Sequence, residues 1–283
     1  MKDSIKCFFD KEGIEYFSIL RYCDCKQINS GLMARYELSP KSVIIYLLPY
    51  YTEQGKNLSS YAIGTDYHIV IKRINEALIN ILSAEYPESK FLSFGDHSPI
   101  DERHAALSTG LGMLGDNGLL INEKYGSYVF IGEVVSDMEI PLTEASEIVG
   151  IAHCPSCGAC RSACPTGGLR GEGEDCLSAI TQKKGELSEN EVALMLKEGY
   201  VWGCDVCQLV CPFNEKPEKT PIAEFYYDTT PYLTREILDG MDKVAFSKRA
   251  YAWRGRKTIE RNLDFFENAN KDLQKQGFKE KKQ

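Results

Sequence analysis

Short apolar runs in the first half of the chain predict the strands of a sheet. Residues 41–49, KSVIIYLLP, are rich in β-branched side chains and are bounded by prolines, which is typical of a buried strand. Residues 91–94, FLSF, predict a second strand. The runs at 119–122 and 128–135 predict two more, joined by the turn-forming sequence EKYG.

Apolar residues at helical spacing predict helices between and after these strands. Residues 66–83 carry four such residues, with Asp66 in the position of an N-cap. A second helix is predicted through 105–106, and residues 188–197 open with a Ser188–Glu191 capping box. The last forty residues have helical periodicity and no strand pattern. The four apolar residues of the first helix are Ile69, Ile74, Leu78 and Ile81.

Eight cysteines in two sets predict an iron-sulfur module. The run CPSCGACRSACP, at 154–165, has the C-x2-C-x2-C-x3-C-P spacing of bacterial ferredoxins, whose fourth cysteine binds a different cluster from the first three. A later run, GCDVCQLVCPFN at 203–214, completes the pattern. By analogy with two-cluster ferredoxins, one 4Fe-4S cluster takes Cys154, Cys157, Cys160 and Cys211, and the other takes Cys164, Cys176, Cys204 and Cys207.

Structural zinc and disulfides are the alternative uses of these thiols. A zinc site would use four cysteines and leave four unexplained. Disulfides are disfavoured because the opening MKDSIKCFFDKEG lacks the apolar core of a signal peptide, and because a chain of 283 residues can bury a core without them. Cys7, Cys23 and Cys25 lie outside the pattern, and we interpret them as reduced intracellular thiols without assigned chemistry.

Charge is unevenly distributed along a chain of otherwise ordinary composition, with 43% hydrophobic and 26% charged residues. No apolar run approaches the ~20 residues that cross a bilayer, so we expect a cytoplasmic protein without a membrane partner. The net charge is -8, but residues 243–283 carry +7 and the remainder carries -15. A basic end of this kind predicts either a surface that attracts polyanions or a solvated amphipathic helix.

Together these features predict an α+β fold in three parts. Residues 1–150 form a mixed α/β domain, residues 151–220 form a ferredoxin-like module with two clusters, and residues 221–283 form a helical basic tail. Two clusters in series carry electrons one at a time. We therefore expect the first domain to contribute to the site that uses them.

Several stretches resemble the epoxyqueuosine reductase family, cobalamin-dependent iron-sulfur enzymes of tRNA modification that are related to reductive dehalogenases. They are YAIGTDYH at 61–68, GDHSPIDERHAALSTGLGMLGDNGLLIN at 95–122 and YGSYVFIGEVVSD at 125–137, together with the cysteine pattern. The resemblance continues through CLSAI and into RGRKTIERN near the end. It spans roughly residues 30–265, which is most of the chain.

The resemblance implies a reaction, its cofactors and its partners. The reaction is the two-electron removal of the epoxide oxygen of epoxyqueuosine at the tRNA wobble position, giving queuosine. Cobalamin is expected base-off between the first domain and the ferredoxin module, and no cobalamin-ligating D-x-H-x-x-G run occurs in the chain. Electrons are expected from a low-potential donor such as a flavodoxin or ferredoxin. The basic C-terminal segment is expected to contact tRNA phosphates.

The resemblance also implies site residues. Asp96, in the run DHSP, matches the family's catalytic aspartate, and Tyr61, Ser178 and Asp205 match cobalamin contacts. A carboxylic acid can protonate the alkoxide that epoxide opening leaves, and burial beside an apolar corrin would raise the pKa of Asp96 and keep it protonated. By residue type alone, Asp96 is a turn or cap residue and the three contacts are satisfied polar groups. Neighbouring His97 is either a modulator of the Asp96 proton or a surface residue.

Two features depart from the family pattern. The turn GDNG carries Asp116 where family members usually have a lysine, and the chain ends at 283, without the helical-repeat domain with which they usually continue. Three functions therefore stay open at this point. They are an epoxyqueuosine reductase, a small-molecule reductase like the reductive dehalogenases, and an electron-transfer ferredoxin with an accessory domain.

Overall fold

A computed structural model describes residues 2–142, 148–171 and 175–280. In it the chain forms two compact units, each built from separate stretches of sequence. The first unit comprises Met1–Tyr51, Tyr67–Cys157 and Pro212–Phe225. The second unit comprises Thr52–Asp66, Gly158–Cys211 and Tyr226–Gln283. The three-part division of the sequence, with boundaries at 150 and 220, stays a prediction.

Eleven α-helices and six strands are assigned in the described residues. The strands are β1 (Phe17–Arg21), β2 (Ser42–Pro49), β3 (Phe91–Phe94), β4 (Met113–Leu114), β5 (Leu120–Ile121) and β6 (Val129–Ser136). The helices are α1 (Lys2–Glu12), α2 (Ser30–Arg35), α3 (Tyr67–Glu85), α4 (Glu102–Ser108), α5 (Ala159–Ala163), α6 (Leu177–Gln182), α7 (Glu189–Glu198), α8 (Val206–Leu209), α9 (Arg235–Asp239), α10 (Lys243–Ser247) and α11 (Arg256–Glu280). Short 3₁₀ helices lie at Tyr22–Asp24, Ser60–Ala62, Gly168–Arg170, Pro212–Asn214, Ala223–Tyr226 and Ala252–Arg254.

The first unit is built on an antiparallel four-stranded sheet in the order β1-β2-β6-β3. All eight residues of β2 are buried, so both faces of the sheet are covered. On one face Ile45 belongs to an apolar cluster with residues of α2 and α4. On the other face the ring of Phe9 in α1 lies 5.1 Å from that of Tyr46, whose hydroxyl donates to Asn75 of α3 at 2.9 Å.

Most of the predicted elements of this unit are confirmed, with a difference at the ends of one helix. The strands at 41–49 and 91–94 are β2 and β3, the helix at 66–83 is α3, and the helix through 105–106 is α4. Ile69 and Ile81, however, are 43% and 38% exposed. Ile74 and Leu78 are buried as predicted, while at the two ends of the helix the next residue along the chain is buried instead. The buried face of α3 comprises Val70, Ile71, Ile74, Asn75, Leu78 and Leu82.

The predicted pair of strands at 119–122 and 128–135 forms, but the two strands have different partners. The first shortens to β5, which pairs with β4. The second is β6, which lies between β2 and β3 in the main sheet. Only an isolated bridge between Asn122 and Gly126 spans the EKYG turn. Local sequence identified the strands, and long-range pairing decided their neighbours.

The second unit is helical around a core that contains the fully buried Trp202 and Tyr251, whose rings meet edge to face at 6.1 Å. The predicted capping box begins α7, since Glu191 N donates to Ser188 Oγ at 3.3 Å and Ser188 N donates to the Glu191 carboxylate at 2.7 Å. Helix α11 contributes Ile259 and the fully buried Asn262 to the interior. Among the described helices, none has the length and apolar character needed to cross a membrane.

Candidate functional site

Asp96 lies in a tight turn between β3 and α4. Its φ of 63° is in the left-handed region, which few residues other than glycine adopt and which Asp and Asn tolerate best. Gly95 before it faces Ile71, whose Cγ2 would be 3.2 Å from a β-carbon at that position. The turn ends where Asp101 caps α4 by accepting from His104 N at 3.0 Å. Backbone in this conformation is typical of functional turns.

Two side chains from the start of α3 hold the Asp96 carboxylate. The Tyr67 hydroxyl donates to Oδ2, and His68 Nε2 lies 3.2 Å from the same oxygen. Burial acts to raise the pKa of Asp96, but the hydrogen bonds from His68 and Tyr67, with the charge of His68, outweigh it and leave the pKa below its usual range. The raised pKa expected beside a bound corrin stays a prediction, because in this arrangement the carboxylate is half-exposed and has donors.

His68, rather than His97, is the histidine that contacts Asp96. The ring of Tyr67 stacks on those of Phe130, at 3.8 Å and 12°, and His68, at 4.1 Å, which orients both donors. The side chain of His97 is exposed. Sequence reasoning missed His68 and Tyr67 because they precede Asp96 by almost thirty residues. Their place in the YAIGTDYH run was the available signal.

Two further carboxyl groups, Glu102 and Glu133, lie near this turn. Burial raises the pKa of Glu102 to about 7, with the charges of Asp96 and Asp101 adding to the effect. Burial also raises the pKa of Glu133 to about 8, although a hydrogen bond from Ser98 acts against it. Sequence reasoning missed both. An acidic residue in the middle of the apolar run of β6 was a signal for Glu133.

Six of the eight predicted cluster ligands belong to the second unit. Helix α5, which carries the buried Cys160, packs on α8, which carries Cys207. The pKa of Cys204 is raised to about 12, chiefly by burial and in part by the charges of Cys176 and Cys207. Three thiols of one predicted cluster thus lie close enough to repel one another as thiolates, and a cationic iron cluster would relieve that repulsion.

Backbone amides near other ligands are placed to stabilise thiolates. Burial acts to raise the pKa of Cys164, but hydrogen bonds from Thr166 and from three backbone amides of residues 166–169 outweigh it and lower the pKa. In the first unit, Asp116 N donates to Cys154 Sγ at 3.4 Å, while Cys157 is exposed. Hydrogen bonds to sulfur are typical of iron-sulfur ligands. Within the described ranges, no three Cys, His, Asp or Glu side chains could together hold one metal ion.

Asp205, a predicted cobalamin contact, is a fully satisfied buried carboxylate. It is 1% exposed and accepts hydrogen bonds from Ser59 Oγ, from Ser60 N at 2.6 Å and from Gln208 Nε2 at 3.3 Å. Gly203 allows this approach, since a β-carbon there would lie 2.4 Å from that of Ser59. Asp205 therefore ties the 52–66 stretch to the segment that holds Cys204 and Cys207. Its contact with cobalamin stays a prediction.

Tyr61 and Ser178 are half-buried, and the hydroxyl of each accepts a hydrogen bond within the second unit. The Tyr61 hydroxyl accepts from Trp202 Nε1 at 2.8 Å, and Ser178 Oγ accepts from Gln182 Nε2 at 3.0 Å. Hydroxyl groups can bond to the amide-bearing corrin, and that contact also stays a prediction for both residues.

Comparison with known proteins decides the family. The family model described as Epoxyqueuosine reductase QueG, DUF1730, matches residues 34–96, and that of a 4Fe-4S double cluster binding domain matches residues 153–214. An epoxyqueuosine reductase of Cellulophaga algicola is 33% identical over 244 residues, which cover 80% of this chain and 76% of that protein. The chain belongs to the epoxyqueuosine reductase family.

Solved structures of epoxyqueuosine reductases share this mixed α/β fold. The structure from Streptococcus thermophilus has a TM-score of 0.74 and 23% identity, covering 94% of this chain and 80% of that one. A structure with a tRNA-Tyr epoxyqueuosine-modified tRNA stem loop has a TM-score of 0.74 and 22% identity, with the same coverage. The family assignment and the prediction of two 4Fe-4S clusters are thus confirmed.

The basic segment of this family member is partly engaged within its own unit. Arg256 donates to the carbonyls of Leu238 and Met241, and Arg261 donates to those of Lys183 and Gly185. Lys257, by contrast, is exposed. The segment predicted to contact tRNA therefore contains arginines that pack the second unit as well as cations available to a partner.

Proposed function

We propose that the protein reduces epoxyqueuosine to queuosine at the wobble position of tRNA. The balanced reaction consumes two electrons and two protons and releases the epoxide oxygen as water. The observation that carries the proposal is the half-exposed Asp96 carboxylate with an adjacent histidine and tyrosine, in a chain of the epoxyqueuosine reductase family that binds two 4Fe-4S clusters.

Asp96 delivers the proton that the leaving oxygen needs. Epoxide opening leaves an alkoxide, and a positioned acid within hydrogen-bonding reach can protonate it. Burial acts to raise the pKa of Asp96, so covering the exposed half of the side chain with substrate would raise that pKa from its lowered value. Asp96 can then take the proton of His68, whose Nε2 is 3.2 Å from Oδ2, and pass it to the substrate.

Cobalamin, when bound, supplies the reducing group, and the clusters supply its electrons one at a time from a low-potential donor such as a flavodoxin or ferredoxin. Tyr61 and Ser178 would contact its polar periphery through their hydroxyl groups. Asp205 would contribute indirectly, because it fixes the backbone at Ser60 by accepting a hydrogen bond from Ser60 N. For the clusters we retain the crossed assignment, with Cys154, Cys157, Cys160 and Cys211 on one and Cys164, Cys176, Cys204 and Cys207 on the other.

The surface for tRNA would be formed by residues beside the start of α11. The guanidinium of Arg254 lies 3.9 Å from the ring centre of Trp253, which is 57% exposed, and Lys257 is exposed on the first turn of the helix. An exposed aromatic ring with adjacent cations suits a base and its phosphates. Arg256 and Arg261 would contribute less, because their donors bind carbonyls of the second unit.

Nucleoside mass spectrometry tests the proposal directly. Reconstituted protein is incubated anaerobically with cobalamin, a low-potential reductant and tRNA that contains epoxyqueuosine, beside a control that lacks cobalamin. We expect a cobalamin-dependent loss of one oxygen from the modified nucleoside. No conversion, with clusters and corrin shown by their spectra to be in place, would reject tRNA as the substrate and favour a small-molecule reductase.

A further inference from the structure

Glu133 puts a carboxyl group in the apolar interior of the first unit. It pairs in the sheet with Ile45 of β2 and Phe94 of β3, and it is 1% exposed. Ser98 Oγ donates to Oε1 at 2.7 Å, whereas Oε2 has no hydrogen-bond partner in the described part of the chain. Burying a half-satisfied carboxyl costs stability, so an apolar residue would serve the fold better. This cost indicates a role other than stabilising the sheet.

Ser98 connects Glu133 to the turn that carries Asp96. Ser98 is 3% exposed, lies two residues after Asp96, and accepts from Ile100 N at 3.0 Å. The carbonyl of Pro99 accepts from two backbone amides, those of residues 28 and 29, at 3.0 and 3.1 Å. Hydrogen bonds thus fix the end of this turn at two consecutive residues, Ser98 and Pro99. Of these, the bond from Ser98 to Glu133 lies nearer to Asp96 in the sequence.

The groups that face Glu133 favour its neutral form. Glu102 of α4 is acidic, and Tyr22 and Cys25 from the stretch after β1 have their own pKa values raised in part by the charge of Glu133. None of these three groups is a cation. An ionised Glu133 would therefore be repelled by Glu102, and beyond it by Asp96, without a counter-charge among the side chains named here.

We propose that Glu133 is a positioning residue for Asp96, acting through the hydroxyl of Ser98 to hold residues 95–100 in the catalytic conformation. The inference rests on the proposed function, in which Asp96 is the proton donor. In the held turn the pKa of Glu133 is about 8, whereas a released turn would admit water and lower that pKa. The contact between Glu133 and Ser98 therefore stabilises the held turn fully at acidic pH. This stabilisation falls as the pH rises, because Glu133 loses its proton more readily in the released turn, and it is smallest above about pH 8.

Amide hydrogen exchange of residues 95–101 measures how often this turn opens, and it requires no substrate, cofactor or turnover. After correction for the intrinsic rate, we expect exchange about fivefold faster in Ser98→Ala and Glu133→Leu, the factor expected from one lost hydrogen bond. Glu133→Gln keeps the acceptor oxygen and cannot ionise. Its corrected exchange should rise less between about pH 6 and about pH 9 than that of the wild type, because only the titration of Glu102 remains in that range.

The control is Glu88→Gln, which makes the same change at an exposed position of the first unit. It should reproduce the pH dependence of the wild type. Because Glu133→Gln preserves the size and the acceptor of the side chain, its pH profile tests the inference even if Glu133→Leu fails to fold. A wild-type exchange rate in a folded Ser98→Ala, or an unchanged pH dependence in Glu133→Gln, would overturn the inference.

Turnover of epoxyqueuosine tRNA separates this inference from the function on which it rests. The kcat should fall in Ser98→Ala and Glu133→Leu with the tRNA Kd unchanged, and Glu133→Gln should recover part of it. If the wild type shows the expected exchange but no turnover, the proposed function fails and the structural hold stands. If turnover occurs in the wild type and kcat is the same in a folded Ser98→Ala, the positioning role fails and the proposed function stands.

Discussion

Asp96 in the first unit and Asp205 in the second are both aspartates that the family resemblance singles out, yet their surroundings differ. Asp205 is 1% exposed and its two oxygens accept from a hydroxyl, a backbone amide and a side-chain amide. The side chain of Asp96 is 54% exposed and both of its hydrogen-bonding neighbours contact a single oxygen, Oδ2. One carboxylate joins two segments of the fold, and the other is half-exposed at the surface.

The difference shows how an acidic side chain can be assigned a role from its contacts. Full burial with every oxygen satisfied contributes to stability and leaves no atom to react. A left-handed backbone costs stability, and partial exposure beside neighbours that can donate protons leaves a reactive oxygen. We therefore expect substitutions at the two aspartates to have opposite consequences, one for rate and one for folding.

The largest expected effect is on the rate of Asp96→Asn. Turnover of epoxyqueuosine tRNA should fall about 100-fold to 10,000-fold, because proton donation is lost while both clusters and the thermal midpoint are unchanged. Asn also tolerates a positive φ, so the turn is preserved. The matched control is Asp228→Asn, an exposed aspartate with a φ of 51°. Full activity in Asp96→Asn would exclude Asp96 as the donor and remove the contrast with Asp205.

The next effect is on the stability of Asp205→Asn. The amide that replaces one oxygen would point a donor at other donors, at a cost of about 1–3 kcal/mol in the free energy of unfolding. Urea denaturation followed by circular dichroism measures it. Asp239→Asn, which alters an exposed carboxylate 3.5 Å from Arg256, should change stability little. Unchanged stability in Asp205→Asn, with reduced affinity for cobalamin, would instead make Asp205 a cofactor contact.

The smallest effect is on the titration of Asp96 in His68→Gln. Removing the histidine should move the pKa of Asp96 upward, as a carbon-13 titration of the carboxyl group would show. In the wild type the lowered pKa contributes stability above the unfolded value of about 3.9, and this is lost as pH falls through the folded value. His97→Gln, the neighbour in sequence, should not move the titration. If the pKa of Asp96 shifted in His97→Gln but not in His68→Gln, His97 would instead be the residue that modulates the Asp96 proton.

Features written in local spacing were predictable from the sequence. The cysteine runs, the apolar run of β2 and the Ser188–Glu191 capping box each involve residues within about a dozen positions. The middle of the buried face of α3 was predicted correctly, but Ile69 and Ile81 at its ends were not, because apolar residues also occur beside the buried stripe. The partners of β5 and β6 were not predictable, since strand pairing depends on contacts across the whole unit.

By itself, the sequence determined the family and the two clusters and singled out Asp96 as the candidate proton donor, because these depend on residue types at set spacings. Only the tertiary structure decided which side chains meet Asp96. Tyr67, His68, Ser98 and Glu133 come from α3, the turn and β6, and folding alone brings them together. The charge state of each carboxyl was likewise decided by burial and by its neighbours, which a linear pattern does not specify.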